Sequence, residues 1–398
     1  MWRWWWWRVS LVLLCVTLRP AHGIEAAAPS TILIDAMTGQ VLREENAAAA
    51  VRVGSLSHLM LLLLSLEEAG LGALPLDAAV TVSAPAPSTA PMRPAALPGA
   101  TKQHGKRLQE APGPPLQQRL SLRADRAYVL SDLLKAMLLA SSSEAAVAVA
   151  EAIAGGVPAC LELMNERAQR LGMTATHFAS ISGDSPGDTG TTTVRDLARL
   201  AHALVQYPAV IEWSSLNGLP FDQGGTLLRN VNQLIGMVPG VDGLQVSSTT
   251  TGHSTSSNIV ASAQRGALRL VAVVAGAPTS AARYKAAAEL LEWGFASYER
   301  LEIVRKGEPL NFAIDVRHGS LPDVTPVAGR TFSLLRRRDE EHDLQLRYQL
   351  PTVLTAPLKH HQPIGEILIE EKGQLIGVVP VLNPTTVRSS GILATALR

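Results

Sequence analysis

The feature that most constrains the fold of this chain is an almost wholly apolar stretch at residues 56–66, which directly follows Ser55. A stretch of this length and composition predicts an α-helix that is apolar on every side. Such a helix must be surrounded by other elements, so it belongs in the centre of a large domain. A chain of 398 residues with 47% hydrophobic residues is long enough to build that domain and a second, smaller one.

The segments around this helix predict a domain that contains both helices and strands. Ile32-Leu33-Ile34-Asp35 and Val41-Leu42 flank Thr38-Gly39-Gln40, a pattern typical of a β-hairpin with a glycine-containing turn. Residues 84–115 are rich in Pro, Ala and Ser, and they predict an irregular surface excursion. Strand patterns recur at residues 258–263 and 268–274, and helical patterns occur at residues 127–139, 144–154, 160–171, 194–205 and 281–295.

Beyond Tyr298 the sequence changes to strand-like alternation. Leu344, Leu346, Tyr348 and Leu350 fall on one face of a predicted strand. Two further apolar runs, residues 364–369 and 375–381, flank the turn sequence Glu371-Lys372-Gly373-Gln374. These patterns predict a separate small β domain.

The first 23 residues predict an export signal. Arg3 and Arg8 precede an apolar run of about ten residues, and Ala21-His22-Gly23 supplies the small residues of a cleavage site. The run is shorter than the roughly 20 residues that span a bilayer, so we expect cleavage and a location in the periplasm or cell envelope. The tryptophans near the start leave open an alternative, in which the uncleaved segment associates peripherally with the inner membrane.

Composition excludes several functional classes. The net charge is +1, and Lys and Arg are spread along the chain, so no nucleic-acid partner is expected. The ten His residues show no H-E-x-x-H spacing, and the chain has neither a G-x-S-x-G elbow nor a phosphate-binding glycine loop. After removal of the signal only Cys160 remains, which rules out an intramolecular disulfide and predicts a small buried apolar residue.

Ser55 is a candidate nucleophile because of its place at the first turn of the buried helix. A helix N-terminus favours developing negative charge and brings backbone N–H groups close to the hydroxyl. The alternative is that Ser55 merely caps the helix. The position of Ser55 alone does not distinguish a nucleophile from a helix cap.

Many short matches in the right order resemble the low-molecular-mass penicillin-binding proteins, the serine D-Ala-D-Ala carboxypeptidases. The resemblance extends from Thr31 to about Pro380. The matching residues are Ile32-Leu33-Ile34-Asp35, Thr38-Gly39, Val41-Leu42, Met164-Asn165, Ala168, Leu171-Gly172-Met173, Thr176-His177-Phe178, Asp196-Leu197-Ala198, Leu228, Asn230, Asn232, Leu234, Val241-Asp242-Gly243, Asn258, Val260-Ala261-Ser262, Leu290-Leu291 and Trp293-Gly294-Phe295.

In that family three motifs carry the chemistry, S-x-x-K, S-x-N and K-T-G, and the resemblance places altered versions of the first two here. Ser55-Leu56-Ser57-His58 puts His58 one helical turn from Ser55, in the place of the general-base Lys. Ser141-Ser142-Ser143 keeps the proton-relaying Ser141 and puts Ser143 where an Asn would hold the substrate. The alternatives are a locally bonded core His58 and an N-cap cluster of serines.

The third motif fits two registers, and neither contains the Lys. One register places it on Gln245-Val246-Ser247, and the other on Thr250-Thr251-Gly252 followed by His253. The second register is slightly preferred, because Thr251-Gly252-His253 keeps three identities. Together with Ser143 of the second motif, Thr250, Thr251 and Gly252 are then the predicted substrate-binding residues.

The resemblance implies an α/β fold, with a mostly antiparallel sheet flanked by helices at residues 28–300 and a small β-rich domain at residues 301–384. It implies a hydrolase of cell-wall biogenesis that removes the terminal D-Ala from peptidoglycan stem peptides through an acyl-Ser55 intermediate and that binds β-lactams. Ser141 and His58 would assist proton transfer, and no metal or organic cofactor is implied. The alternative is a non-catalytic homologue that binds cell-wall peptide or a partner protein, because the altered motifs could cost turnover.

Overall fold

A computed structural model describes residues 29–83, 120, 122–183, 189–222, 225–251, 254–341 and 343–390. The predicted export signal, the predicted surface excursion from residue 84 onward, and Gly252 with His253 lie outside these residues.

The first part of the chain contains all seven described α-helices, and the predicted apolar helix is one of them. They are α1 Ser57–Gly70, α2 Leu130–Ala140, α3 Ser143–Ala154, α4 Val157–Arg170, α5 Val194–Leu204, α6 Pro208–Ser214 and α7 Ser280–Ser297. No single helix in the described ranges is long and apolar enough to cross a membrane, and only α3 and α4 taken together, bent by 82°, pass on length and composition.

The described residues also form twenty strands, and the longest of these lie in the second half of the chain. They are β1 Ser30–Asp35, β2 Val41–Glu45, β3 Val51–Arg52, β4 Ala79–Thr81, β5 Ala127–Val129, β6 Thr191–Thr192, β7 Gly218–Phe221, β8 Thr226–Arg229, β9 Val241–Thr251, β10 Ser254–Arg265, β11 Leu268–Ala277, β12 Tyr298–Val304, β13 Ile314–Arg317, β14 Asp323–Val324, β15 Val327–Ala328, β16 Phe332–Arg337, β17 Leu344–Gln349, β18 Val353–Thr355, β19 Pro363–Glu371 and β20 Gln374–Leu382.

The central sheet has five antiparallel strands in the order β2-β1-β11-β10-β9. Successive side chains of a strand point to opposite faces, and both faces of this sheet are covered. Ile32 and Ile34 of β1 pack into the core that contains α1, whereas Leu33 packs into the core that contains α7. The predicted sheet flanked by helices is therefore confirmed, and β9 is its edge strand.

Helix α1 lies in the centre of the first core, as its composition predicts. Every residue from Ser57 to Leu66 is buried, including His58. The helix has no described side-chain cap at either end, so its stability comes mainly from burial, at about 25 cal/mol per Å² of apolar surface.

The structure corrects one of the predicted helices and adds elements that the sequence pattern missed. Residues 127–139 were predicted as a single helix, but Ala127–Val129 form strand β5, which pairs with β4, and α2 begins only at Leu130. Pairing with a distant strand overrides helical periodicity here. The short helix α6 and the β7–β8 hairpin also had no clear periodic signal.

The C-terminal part is built from strands around a separate core. Strand β12 follows α7 directly at Tyr298 and pairs with β16, so no linker separates the two parts. Most of the other strands there pair in a four-stranded and a three-stranded sheet. Their buried side chains, among them Ile367 and Val379, form a cluster distinct from the two cores of the first part. The predicted small β-rich domain is confirmed as a feature of the fold.

Cys160 is expected to be chemically inert in the folded protein. It is buried in α4, and burial raises the pKa of its thiol to about 11. In a chain that starts after residue 23, so that Cys160 is the single thiol, iodoacetamide at pH 8 should alkylate the native protein about 10²-fold more slowly than the urea-unfolded protein. Equal rates by intact mass would contradict the buried position.

Candidate active site

Ser55 lies in a 3₁₀ turn, Gly54–Leu56, immediately before α1. Its side chain is 6% exposed. Gly54 has φ +56°, a backbone conformation that favours glycine. This turn delivers Ser55 to the start of the buried helix, where backbone N–H groups lack helical partners.

The segment at residues 180–183 packs tightly over this turn. Ser57 Oγ donates a hydrogen bond to the carbonyl of Ile181 at 2.6 Å. A Cβ atom at Gly183 would lie 2.0 Å from the carbonyl carbon of Gly54, so only a glycine allows this approach. These contacts hold the turn that contains Ser55 in place.

His58 of α1 and Gln245 of β9 contact each other in the buried interior. His58 is one helical turn from Ser55, and Gln245 Nε2 lies 3.4 Å from His58 Nδ1. The same Nε2 donates to the carbonyl of Met137 at 3.0 Å. Because a carbonyl can only accept, the Gln245 amide must present N–H groups, so His58 Nδ1 accepts and a neutral ring carries its proton on Nε2. In this arrangement the basic nitrogen of His58 faces Gln245.

Ser141 ends α2 in a left-handed conformation with φ 52°. Its hydroxyl is fully buried and has no hydrogen-bond partner among the described residues. A strained, unsatisfied buried polar group of this kind is typical of functional sites. Ser142 has the capping role that the serine cluster suggested, because its hydroxyl accepts from the Ala145 N–H at 3.3 Å.

The edge strand β9 contributes two side chains on the face that packs against α1. They are Gln245 and Ser247, two residues apart, as strand geometry requires. The N–H of Ser55 donates to Ser247 Oγ at 3.0 Å. This contact and the contact of Gln245 with His58 support Gln245-Val246-Ser247 as the third motif.

The contacts of Ser247 and Gln245 favour the other register of the third motif over the preferred one. Thr250 and Thr251 lie three and four residues beyond Ser247 on β9, which is about 10–13 Å along an extended strand. Gly252 lies outside the described residues. Ser143 begins α3 and is half-buried. Substrate binding by these four residues stays a prediction, and the sequence pattern had no signal for the contact of Ser247 with Ser55.

Arg283 of α7 braces β9 from the other face of the sheet. It is fully buried, and its guanidinium donates to the carbonyl of Ser247 at 2.6 Å and to Ser248 Oγ at 3.0 Å. Burial lowers the pKa of Arg283, while the neighbouring Tyr284 acts in the opposite direction. The hydrogen bonds of this buried cation fix the backbone at Ser247.

The described residues contain no cluster of three or more His, Cys, Asp or Glu side chains that could hold a metal ion. The chemistry available at the site is that of hydroxyls, an imidazole, an amide and backbone N–H groups. This donor set suits acyl transfer to a serine.

Comparisons with known proteins agree with the geometry. Residues 114–279 match a family described as D-alanyl-D-alanine carboxypeptidase, and residues 298–389 match the C-terminal domain of penicillin-binding protein 5. The chain is 24% identical to the carboxypeptidase DacF of Bacillus subtilis, over 92% of this chain and 87% of that one. It is 32% identical to DacC of Escherichia coli, over 66% of this chain and 64% of DacC, so this match spans less than two thirds of DacC.

Solved structures agree as well. Penicillin-binding protein 6B of Escherichia coli has a TM-score of 0.61 at 25% identity, over 89% of this chain and 94% of that one. Penicillin-binding protein D2 of Listeria monocytogenes, solved in an ampicillin-bound form, has a TM-score of 0.52 at 27% identity, over 67% and 96%. Together the two family matches cover most of the described chain. The chain belongs to the low-molecular-mass penicillin-binding proteins, the D-alanyl-D-alanine carboxypeptidase family.

Proposed function

We propose that this protein is a serine D-Ala-D-Ala carboxypeptidase that acts on peptidoglycan stem peptides with reduced turnover. The observation that carries the proposal is the position of Ser55 at the start of a buried helix, one turn from His58, in a chain of this family. Backbone N–H groups at a helix start favour the negative charge that develops when a serine attacks a carbonyl.

The reaction would proceed in two steps. Ser55 Oγ attacks the carbonyl carbon of the penultimate D-Ala, the peptide C–N bond breaks, and the terminal D-Ala leaves after its nitrogen gains a proton. Water then hydrolyses the Ser55 ester and regenerates the hydroxyl. Ser141 is suited to passing the proton to the leaving nitrogen, because its buried hydroxyl has no described partner.

One contact and one missing residue predict that this turnover is slow. The lone pair of His58 Nδ1 faces Gln245, so the ring must exchange its tautomer or turn before it can accept the Ser55 proton. No Lys occurs in the third motif, so a substrate carboxylate loses a charge partner there. Each defect of this kind typically costs about 10²-fold or more in rate.

A second function, binding of cell-wall peptide without turnover, is favoured by one observation. The Ser55 N–H that would polarise a substrate carbonyl already donates to Ser247 Oγ. A protein that keeps the cleft without an open carbonyl site would bind peptide but not cleave it.

The location of the protein follows from its predicted export signal and belongs to the same proposal. Peptidoglycan lies outside the inner membrane, so the enzyme must be exported to the periplasm or cell envelope. Residues 1–23 fit this requirement, and their tryptophans also suit peripheral association with the inner membrane.

The proposal predicts slow labelling by benzylpenicillin that depends on Ser55. A strained β-lactam needs less help to acylate than a peptide does, so the adduct should form and persist, with an intact-mass gain of one penicillin molecule. Ser55→Ala should abolish the adduct, while D-Ala release from a stem-peptide substrate should be very slow.

Ser65→Ala is the matched control, because Ser65 is a buried serine of the same helix whose hydroxyl bonds only locally, to the Leu61 carbonyl at 2.8 Å. It should label like the wild type. A wild type that never labels but binds stem peptide would establish the binding function. Brisk D-Ala release by Ser55→Ala would show that another residue is the nucleophile.

A further inference from the structure

The Ser247 hydroxyl accepts a hydrogen bond from the backbone N–H of Ser55, the proposed nucleophile. In serine acyl transfer that oxygen gains negative charge and is stabilised by preorganised N–H donors near the nucleophile. The described donor nearest to the nucleophile is the N–H of Ser55, and it donates to Ser247 Oγ at 3.0 Å. Both residues are almost completely buried, so the bond does not compete with bulk water.

The fold holds the Ser247 hydroxyl at this position from several directions. A Cβ atom at Gly54 would lie 2.3 Å from Ser247 Oγ, so Gly54 is what permits the approach. Arg283 fixes the Ser247 carbonyl at 2.6 Å from behind the sheet. The backbone at Gly54 and the backbone at Ser247 are therefore both held in place. The Ser247 hydroxyl can move away from the Ser55 N–H by rotation about the Cα–Cβ bond of Ser247.

We propose that the Ser247 side chain is an internal block of the oxyanion position and limits acylation of Ser55. The inference rests on the proposed function and deepens it, because it assigns slow acylation to one side chain. A substrate carbonyl must displace the hydroxyl before it can reach the Ser55 N–H. A residue without a side chain at 247 would leave both the N–H and the space open.

The test is a graded series at residue 247, read out as the rate of benzylpenicillin labelling by intact mass. Ser247→Ala removes the hydroxyl and frees the N–H, whereas Ser247→Gly also removes Cβ. One preorganised oxyanion donor is worth about 10²- to 10³-fold in rate. Because rotation gives the wild type partial access, we expect Ser247→Gly to raise the rate about 10- to 10²-fold, with Ser247→Ala between it and the wild type.

The matched control is Ser248→Ala on the same strand. The Ser248 hydroxyl faces away from Ser55, toward Ser257 and Arg283. This variant should label at the wild-type rate, although it loses a hydrogen bond to the same arginine that braces Ser247. Thermal unfolding of each variant identifies any loss of folded protein.

The outcomes separate this inference from the proposed function. Labelling of the wild type at Ser55 that is no faster in Ser247→Gly would overturn the block while leaving the enzyme assignment intact. Labelling of Ser247→Gly alone would support the block and contradict acylation of the wild type. If no folded variant labels, both are wrong.

Discussion

Replacing Asp35 by alanine is expected to destabilise the protein by about 3–5 kcal/mol, because it leaves a buried arginine without its charge partner. Asp35 ends β1, and its Oδ1 lies 2.6 Å from Arg300 Nη2 of β12, with 0% and 4% of the two side chains exposed. The contact is an ion pair without hydrogen-bond alignment in the described structure. It joins the central sheet directly to the first strand of the C-terminal part.

The measurement is urea unfolding followed by circular dichroism, with Glu44→Ala as the matched control. Glu44 lies on the neighbouring strand and pairs with Arg195 at 2.6 Å, but both side chains are more than a third exposed. An exposed pair contributes about 0–1 kcal/mol. Thr38 donates two hydrogen bonds to Asp35 Oδ2. Asp35→Asn removes the charge but keeps an oxygen that can accept these bonds, so it measures the contribution of the charge alone. Equal losses at Asp35 and Glu44 would show that burial does not govern this pair.

Replacing His58 by alanine is expected to slow β-lactam labelling of Ser55 by about 10²- to 10⁴-fold, the usual loss when a general base is removed. His58 is the only imidazole in the described first turn of α1, and it contacts Gln245 from the edge strand. Replacing it by lysine should have the opposite effect. A buried lysine loses its proton readily, and its longer side chain can extend past Gln245 toward Ser55.

Intact-mass kinetics at fixed benzylpenicillin concentration measure both changes, again with Ser65→Ala as the control in the same helix. Wild-type labelling in a folded His58→Ala protein would show that His58 is a core residue rather than the base. A drop in His58→Lys together with a drop in His58→Ala would mean that the site needs the imidazole itself.

The local sequence pattern was sufficient to predict the helices and strands whose formation depends on burial of one continuous segment. The apolar run after Ser55 predicted α1, and the apolar segments on either side of the Thr38-Gly39 turn predicted the β1–β2 hairpin. The change at Tyr298 coincides with the start of β12. Each of these signals lies within about 20 neighbouring residues, where hydrophobic periodicity is informative.

The resemblance to the family predicted more of the candidate active site than hydrophobic periodicity could. It singled out Ser55 and His58, which lie together at the start of α1, and Ser141, whose strained backbone has no sequence signature. It left two registers for the third motif, because the hairpin between Gly243 and Asn258 departs from the family pattern and a strand pattern repeats every two residues.

Only the tertiary structure decided what the edge strand presents to Ser55. Ser247 lies 192 residues further along the chain, and its contact depends on the pairing of β9 with β10 and on the close approach that Gly54 allows. The conversion of residues 127–129 from predicted helix to strand β5 has the same origin, in pairing with β4. The sequence by itself determined which segments are buried and which residues are candidates for chemistry, because burial and residue type are local properties. The tertiary structure decided which hydroxyl faces the nucleophile, because a hydrogen bond between distant strands depends on register.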